Sequence, residues 1–105
     1  MGSFTVRLRK KALADVSRIR TWYREIDPTL DDRFVHSLNQ GLDRIQDHPF
    51  GYQIVYRNSR RILLDRFPYS VFYLIQDASA QGANVIVLAI IHHKRNPDLA
   101  QGIAE

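Results

Sequence analysis

The 105-residue sequence contains no cysteine, which excludes disulfide bonds, thiol catalysis and zinc sites built on cysteine. It also has no apolar run of about 20 residues, the length that a membrane-spanning helix needs. Its five glycines are scattered, so the sequence has no glycine-rich phosphate loop. The first residues lack the basic and then apolar layout of a signal peptide. Together these absences predict a soluble protein of the cytoplasm.

The composition is typical of one small globular domain over residues 1–105, with 45% hydrophobic and 25% charged residues. Fifteen Lys and Arg residues against eleven Asp and Glu residues give a net charge of +4, which favours an acidic partner. The charge is spread evenly, with nine cations and seven anions before Pro49 and six and four after it. This even spread argues against a dedicated surface for direct binding of nucleic acid.

The hydrophobic pattern changes its period twice along the chain. Apolar side chains alternate over residues 4–8, which predicts a strand. From Ala12 they recur every three or four positions in two stretches separated by Asp27-Pro28, which predicts an antiparallel pair of helices. The second helix is expected to end at His48-Pro49. Three further strands are predicted over residues 60–67, 69–77 and 84–92, and residues 52–56 are either a short strand or an extended lead-in.

These elements predict an α+β fold. Its N-terminal strand is followed by a helical hairpin that packs on one face of an antiparallel sheet of three to four strands. Residues 71–75 and 85–91 are apolar at both alternating sets of positions, which is typical of strands covered on both faces. Because one helical hairpin covers only one face, the other face requires the C-terminal tail, a second copy of the chain or another protein as cover.

The histidines and paired carboxylates do not predict a metal site or a cofactor. His92 and His93 are adjacent on a strand and therefore point to opposite faces, and the other two histidines have no third ligand at a recognisable spacing. Asp31 and Asp32 lie in the first turn of the second helix, where the helix dipole favours acidic residues, and they are interpreted as part of a solvated face.

A basic and aromatic set of residues carries the strongest functional signal. Such residues are needed in a metal-free ribonuclease, where a 2′-hydroxyl is deprotonated and cations stabilise the phosphorane. They also anchor protein interfaces, so the residue types alone leave both functions open. The members of the set are Arg57, Arg60, Arg61, Arg66, Tyr69, Tyr73, His92, His93, Lys94 and Arg95.

Four segments of the sequence match a known pattern in their order along the chain. They are Ala12-Leu13-Ala14-Asp15-Val16, Arg60-Arg61-Ile62-Leu63-Leu64, a Phe-Pro-Tyr-x-Val-Phe-Tyr segment at residues 67–73 and a His-x-x-Arg-x-Pro segment at residues 92–97. In this order they resemble the RelE/ParE superfamily of toxins from bacterial type II toxin-antitoxin systems, and the resemblance spans nearly the whole chain. It is sharpest for the ParE branch. One departure is the start of the first helix, which is Arg9-Lys10 where Ser-Pro is usual.

Residues typical of RelE-like members, which cut mRNA on the ribosome, are only partly present. Arg61 and Arg95 fall at cationic positions of that pattern, but Ser70 stands where an arginine follows the tyrosine, and residues 99–101 offer no tyrosine. Each loss is expected to lower a cleavage rate by orders of magnitude. The resemblance therefore implies a non-enzymatic toxin that poisons DNA gyrase. The alternative is a ribosome-dependent mRNA endoribonuclease with an atypical site.

The resemblance also implies a partner for the uncovered face of the sheet. ParD-like antitoxins lay an acidic and apolar segment along the toxin in a hetero-oligomeric complex, which suits an apolar face with arginines nearby. The residues assigned to antitoxin binding are Arg57, Arg61, Leu63, Arg66, Phe72 and Leu74. Those assigned to target binding or to a residual site are Arg60, Tyr69, Tyr73, His92, His93, Lys94 and Arg95.

Overall fold

The computed structural model describes residues 4–79 and 82–93 and confirms the α+β fold of a helical hairpin on one face of a sheet. No helix in these ranges is long and apolar enough to cross a membrane. In chain order the elements are β1 (Phe4–Leu8), α1 (Lys10–Ile26), α2 (Pro28–Asp47), a 3₁₀ turn (Pro49–Gly51), β2 (Ile54–Tyr56), β3 (Ser59–Leu63), β4 (Tyr69–Ser79) and β5 (Gly82–His92).

The sheet has five strands in the order β1-β5-β4-β3-β2 and is mixed, whereas three to four antiparallel strands were expected. The difference lies at the two edges of the sheet. Residues 54–56 form the short edge strand β2, and β1 lies parallel to β5 with Phe4 opposite Ala83. The alternating pattern at residues 4–8 identifies a strand, but it carries no information about the neighbour or its direction.

Asp27 joins the two helices. Its backbone N–H donates to the carbonyl of Tyr23 at 2.8 Å and closes α1, while its carboxylate accepts a hydrogen bond from the backbone N–H of Thr29 at 2.9 Å and caps α2. That hydrogen bond lowers the pKa of the Asp27 carboxyl below its usual value. Pro28 takes the first helical position, where its missing N–H costs nothing. The predicted break at Asp27-Pro28 is thereby confirmed.

The interpretation of Asp31 as solvated is wrong. Asp31 is 5% exposed and lies between the two helices, where its carboxylate pairs with Arg20 at 2.8 Å and Arg24 at 3.0 Å. The two arginines are one turn apart on α1 and therefore share the side that faces α2. Hydrogen bonding from Arg20 lowers the pKa of the Asp31 carboxyl. Asp32 is exposed, as expected.

The main core lies between the helices and the sheet. Four rings at one end, Tyr23, Phe34, Phe67 and Tyr69, pack at centroid distances from 5.2 to 6.4 Å, most of them edge to face. Burying each large side chain here stabilises the fold by about 1.5–3 kcal/mol. Fully buried members of this core are Ala12, Phe34, Ile45, Val71, Tyr73, Val85 and Val87.

Two side chains, one just before α1 and one in its second turn, continue the hydrogen bonding along β5 where β1 ends. Arg9 Nε donates to the carbonyl of Leu88 at 2.9 Å, and the backbone N–H of Ile90 donates to the carboxylate of Asp15 at 3.0 Å. Asp15 is 2% exposed and also accepts hydrogen bonds from Lys11 and Arg18. These contacts fix α1 against the sheet.

Candidate functional site

The sheet face turned away from the helices, called the second face from here on, has an apolar floor. Phe72 of β4 lies opposite Ala89 of β5, and with Leu88 and Ile91 these residues form a cluster that is 0–5% exposed. Four partly buried side chains pack against this cluster, namely Val55, Tyr56, Leu74 and Ile86. The expected role of the C-terminal tail as a cover concerns residues 94–105, which lie outside the described residues.

A β-bulge in the pairing of β4 with β5 changes which side chains of β5 face the helices. The register with β4 shifts between Phe72 and Tyr73, so Val87 packs under the helices while both Leu88 and Ala89 belong to the second face. Ile90 then returns to the helix side. Both faces of the central strands are apolar, as the sequence predicted.

Arginines flank this floor on both sides. On one side Arg61 of β3 pairs with Phe72, and on the other Arg7 of β1 pairs with Ile86, so both arginines belong to the second face. Arg57, in the turn between β2 and β3, lies over the ring of Tyr56 at 5.2 Å from its centroid. Arg7 was missing from the predicted site. It stands at a polar position of an alternating strand, and only the pairing of β1 with β5 brings it to the floor.

The charges of the two layers are segregated. No acidic side chain that the structure describes lies on the second face. One is in the loop between β3 and β4, and the others belong to the helices or their junction: Asp15, Glu25, Asp27, Asp31, Asp32, Asp43 and Asp47. Among the side chains that the structure describes, the second face thus carries arginines beside an apolar floor, a combination that attracts acidic segments with apolar side chains.

Of the residues assigned to antitoxin binding, five belong to or border the second face and one does not. Leu63 is 51% exposed and offers apolar area to a partner, whereas Phe72 is fully buried and supports the floor from within. Leu74 is partly buried beside it. Arg66 lies apart from this group, in the loop that links β3 to β4.

Arg60 and Tyr73, assigned to target binding or a residual site, both contact the segment between α2 and β2. Arg60 donates to the carbonyls of Phe50 at 3.2 Å and Tyr52 at 2.6 Å. Tyr73 is fully buried and its hydroxyl donates to the carbonyl of Pro49 at 2.6 Å. Burial raises the pKa of Tyr73 to about 12. These contacts give both residues a structural role in holding residues 49–52.

Tyr69 and His92 lie toward the other end of β4, about 13 Å from Tyr73 by strand geometry. Their rings meet edge to face at 5.1 Å, and they line a cavity of about 340 Å³ beside Trp22. His93 is exposed in the turn after β5. The two remaining members of the set, Lys94 and Arg95, lie outside the described residues. In residues 4–79 and 82–93 no group of three or more His, Asp or Glu side chains is placed to hold a metal ion.

A groove of about 830 Å³ lies between α2 and the loop that links β3 to β4, and is called the loop groove below. Ser37 on α2 holds the loop against the helix, because its hydroxyl donates to the carbonyl of Asp65 at 2.7 Å. The sequence pattern does not predict this groove, because residues far apart in the chain form it. Its lining includes Tyr23, Leu30, Arg33, His36, Arg66 and Phe67.

Comparison with known proteins gives matches to one family and to solved structures. A family model described as the ParE toxin of type II toxin-antitoxin system, parDE, matches residues 6–97. A chain from the chromosomal ParDE TA system of P. aeruginosa superposes with a TM-score of 0.70 at 19% identity, covering 86% of this chain and 96% of that chain. A chain from the toxin-antitoxin complex RelBE2 of Mycobacterium tuberculosis gives 0.52 at 17% identity, covering 86% and 98%. No curated protein sequence matches. At these identities the structural likenesses establish the fold.

Proposed function

The chain belongs to the ParE toxin family of type II toxin-antitoxin systems, and from this membership we propose that it arrests growth by poisoning DNA gyrase until a ParD-like antitoxin covers its second face. The gyrase part of this proposal is supported by family membership. The antitoxin part is also supported by the geometry of the second face.

The observation that carries the antitoxin assignment is the combination of charge and apolar area on the second face. Arg7 and Arg61 stand on opposite sides of the floor, and Leu63 is 51% exposed. A segment with an apolar stripe and flanking carboxylates fits this arrangement, because its apolar side chains cover Leu63 and its acids meet guanidinium groups. The solved chains with the same fold come from toxin-antitoxin systems, which is consistent with such a partner.

The ribonuclease alternative receives less support from the described residues. An acid or base in that reaction has to reach the substrate proton, but Tyr73 is buried and bonded to Pro49, and Tyr69 is 5% exposed. Arg60, which would stabilise the phosphorane, is held by two backbone carbonyls. These contacts favour a toxin that acts by binding a protein.

Two assays with the purified protein distinguish the functions. In the first, the toxin is added to a gyrase supercoiling and cleavage reaction. In the second, it is added to translating ribosomes with a reporter mRNA. Trapped gyrase-DNA complexes together with intact message are expected. Cleaved message with unaffected gyrase would support the endoribonuclease instead.

The antitoxin is tested by co-expressing a small acidic protein encoded beside this gene, with restored growth as the expected result.

A further inference from the structure

The two edges of the sheet differ in whether side chains occupy their hydrogen-bonding groups. At the β1 edge, Gln46 donates to the carbonyl of Phe4 at 2.9 Å, and Arg9 and Asp15 bond to β5 where β1 ends. These contacts block the addition of another strand. β2 is the last strand at the opposite edge, and among the residues that the structure describes no side chain hydrogen-bonds to its backbone.

Ile54 presents both of its backbone groups at the β2 edge. The N–H of Arg61 donates to the carbonyl of Gln53 at 3.2 Å, beside the pair that Ile54 forms with Arg60. In an antiparallel ladder a bond in this place flanks a pair whose own N–H and C=O groups point away from each other. The N–H and C=O of Ile54 therefore point away from β3, so that one residue offers a donor and an acceptor side by side.

β2 also lacks the features that usually keep an edge strand from pairing. Lysine, proline and inward-pointing charges are common at such edges, but residues 53–56 are Gln-Ile-Val-Tyr. Ile54 is 51% exposed and shares the helix side of the sheet with Arg60, whose guanidinium lies 5.6 Å from the centre of the Phe50 ring. Phe50 is 57% exposed. A strand added at this edge gains hydrogen bonds and covers apolar side chains.

We propose that β2 pairs with the β2 of a second copy of this chain, antiparallel and centred on Ile54. A second copy is complementary to this edge, because its Ile54 supplies the acceptor and the donor that this Ile54 needs. An acidic segment gains little here, since β2 carries no charge and Arg60 beside it is held by two backbone carbonyls. The surface thus favours a neutral, self-complementary contact.

The cations near β2 do not oppose this pairing. Arg57 follows β2 in the chain, and the two-fold axis at Ile54 places the two Arg57 residues about 20 Å apart. The two Arg60 residues are about 14 Å apart, because three strand spacings separate them. Both distances exceed the Debye length of about 8 Å at physiological salt.

The pairing joins two five-stranded sheets into one sheet of ten strands. Because the two-fold axis between antiparallel strands is perpendicular to the sheet, both second faces lie on the same side. Each β2 has three residues, so the interface is small and we expect a weak dimer, half formed at roughly 100 μM. This inference goes beyond the proposed function and does not depend on it.

A single-cysteine variant tests the contact directly, because the natural chain has no cysteine. Two residues that face each other in a hydrogen-bonded antiparallel pair have Cα atoms about 5.5 Å apart, which a disulfide can span. Oxidised Ile54→Cys is therefore expected to run on a non-reducing gel at twice the 12.2 kDa of one chain. Leu63→Cys is the matched control, since Leu63 is also a strand residue with 51% exposure but belongs to the second face. It should stay monomeric under the same conditions.

Sedimentation at increasing concentration measures the reversible dimer. The mean mass of the wild type is expected to rise from 12.2 kDa toward twice that value. Ile54→Lys should remain monomeric, and Leu63→Lys should behave like the wild type. Ile54→Pro removes the outward N–H but no bond to β3, so it should raise the dissociation constant about tenfold. Melting temperatures show whether each variant is folded.

Several results would overturn the pairing. A wild type that stays monomeric at several hundred micromolar, together with no preferred cross-link at position 54, rejects it. A dimer that survives Ile54→Lys uses another surface, and equal cross-linking of both cysteine variants shows random collision. If Ile54→Lys does not fold, the cysteine pair decides. A monomeric wild type whose antitoxin binding is weakened by Ile54→Lys assigns the edge to the antitoxin instead. Because no gyrase or ribosome assay enters, failure of the proposed function leaves these results unaffected.

Discussion

The carboxylate of Asp15 on α1 accepts a hydrogen bond from the backbone N–H of Ile90 on β5 at 3.0 Å, joining residues 75 positions apart in the chain. The same carboxylate binds Lys11 at 3.0 Å and Arg18 at 3.1 Å. Burying a carboxylate is costly unless its oxygens accept hydrogen bonds. Here a backbone N–H and two cationic side chains donate those hydrogen bonds. The contact connects the helical layer to the strand that carries much of the second face.

Replacing Asp15 by alanine is expected to destabilise the fold by about 3 kcal/mol, because the buried N–H of Ile90 loses its acceptor and the two cations lose their counter-charge. Asp15→Asn keeps an oxygen for Ile90 and should cost less. Urea unfolding of the three proteins checks the order. Equal midpoints for the wild type and Asp15→Ala would contradict the role given to this contact.

Replacing Tyr73 by phenylalanine should cost about 1 kcal/mol, since it removes the hydrogen bond to Pro49 and leaves the volume unchanged. The pKa of Tyr73 is raised to about 12, above the ordinary value of about 10, so its contribution is complete below pH 10 and is lost as the pH approaches 12. The alkaline fall in unfolding free energy should therefore be shallower in Tyr73→Phe. Growth arrest should be retained. An orders-of-magnitude loss of toxicity in a folded Tyr73→Phe would favour the nuclease.

Reversing the charge of Arg61 is expected to weaken antitoxin binding by about tenfold or more, because a carboxylate then faces the acidic segment at the edge of the floor. Arg7→Glu should have a similar effect from the opposite edge, although the sequence did not identify this residue. Titration calorimetry with the purified antitoxin measures both, and Lys10→Glu serves as the control. Unchanged affinity in both variants would remove the second face as the docking surface.

The Asp31 carboxyl makes stability depend on pH at the acidic end. Its folded pKa lies below the unfolded value, so its contribution is present above about pH 4 and is lost as the pH falls through the folded pKa. Asp31→Asn should be less stable at neutral pH and should lose less stability on acidification. Thermal melts of both proteins from pH 6 to about pH 2 check this prediction. Parallel curves for the two proteins would show that the pairing with Arg20 and Arg24 contributes nothing.

The elements of the fold were predictable because each depends on neighbouring residues. The period of the apolar side chains gives the helices and strands, and Asp27-Pro28 gives the break between α1 and α2. The partner of β1 was not predictable, since alternation over residues 4–8 fits any neighbour. The bulge at Leu88 and Ala89 was also hidden, because in a run that is apolar throughout no residue marks the change of face.

The candidate sites were predictable to a smaller extent. Arg61 and Leu63 follow from their positions on a strand next to the apolar floor. Arg7 and the loop groove depend on which distant segments meet, and this is a property of the tertiary structure. Asp31 was wrongly predicted to be exposed to solvent, because the residues next to it in the sequence are polar. The arginines that pair with it lie on the preceding helix.

The parallel pairing of β1 with β5 also affects how the protein matures during translation. Arg9 and Leu88, which make contact at this junction, are 79 positions apart, so β1 stays without this neighbour until β5 has emerged. A nascent chain that stops before β5 lacks this pairing and three of the four buried residues of the apolar floor. Prematurely terminated copies are therefore expected to be harmless to the cell and open to proteolysis, so that toxicity begins with the finished polypeptide.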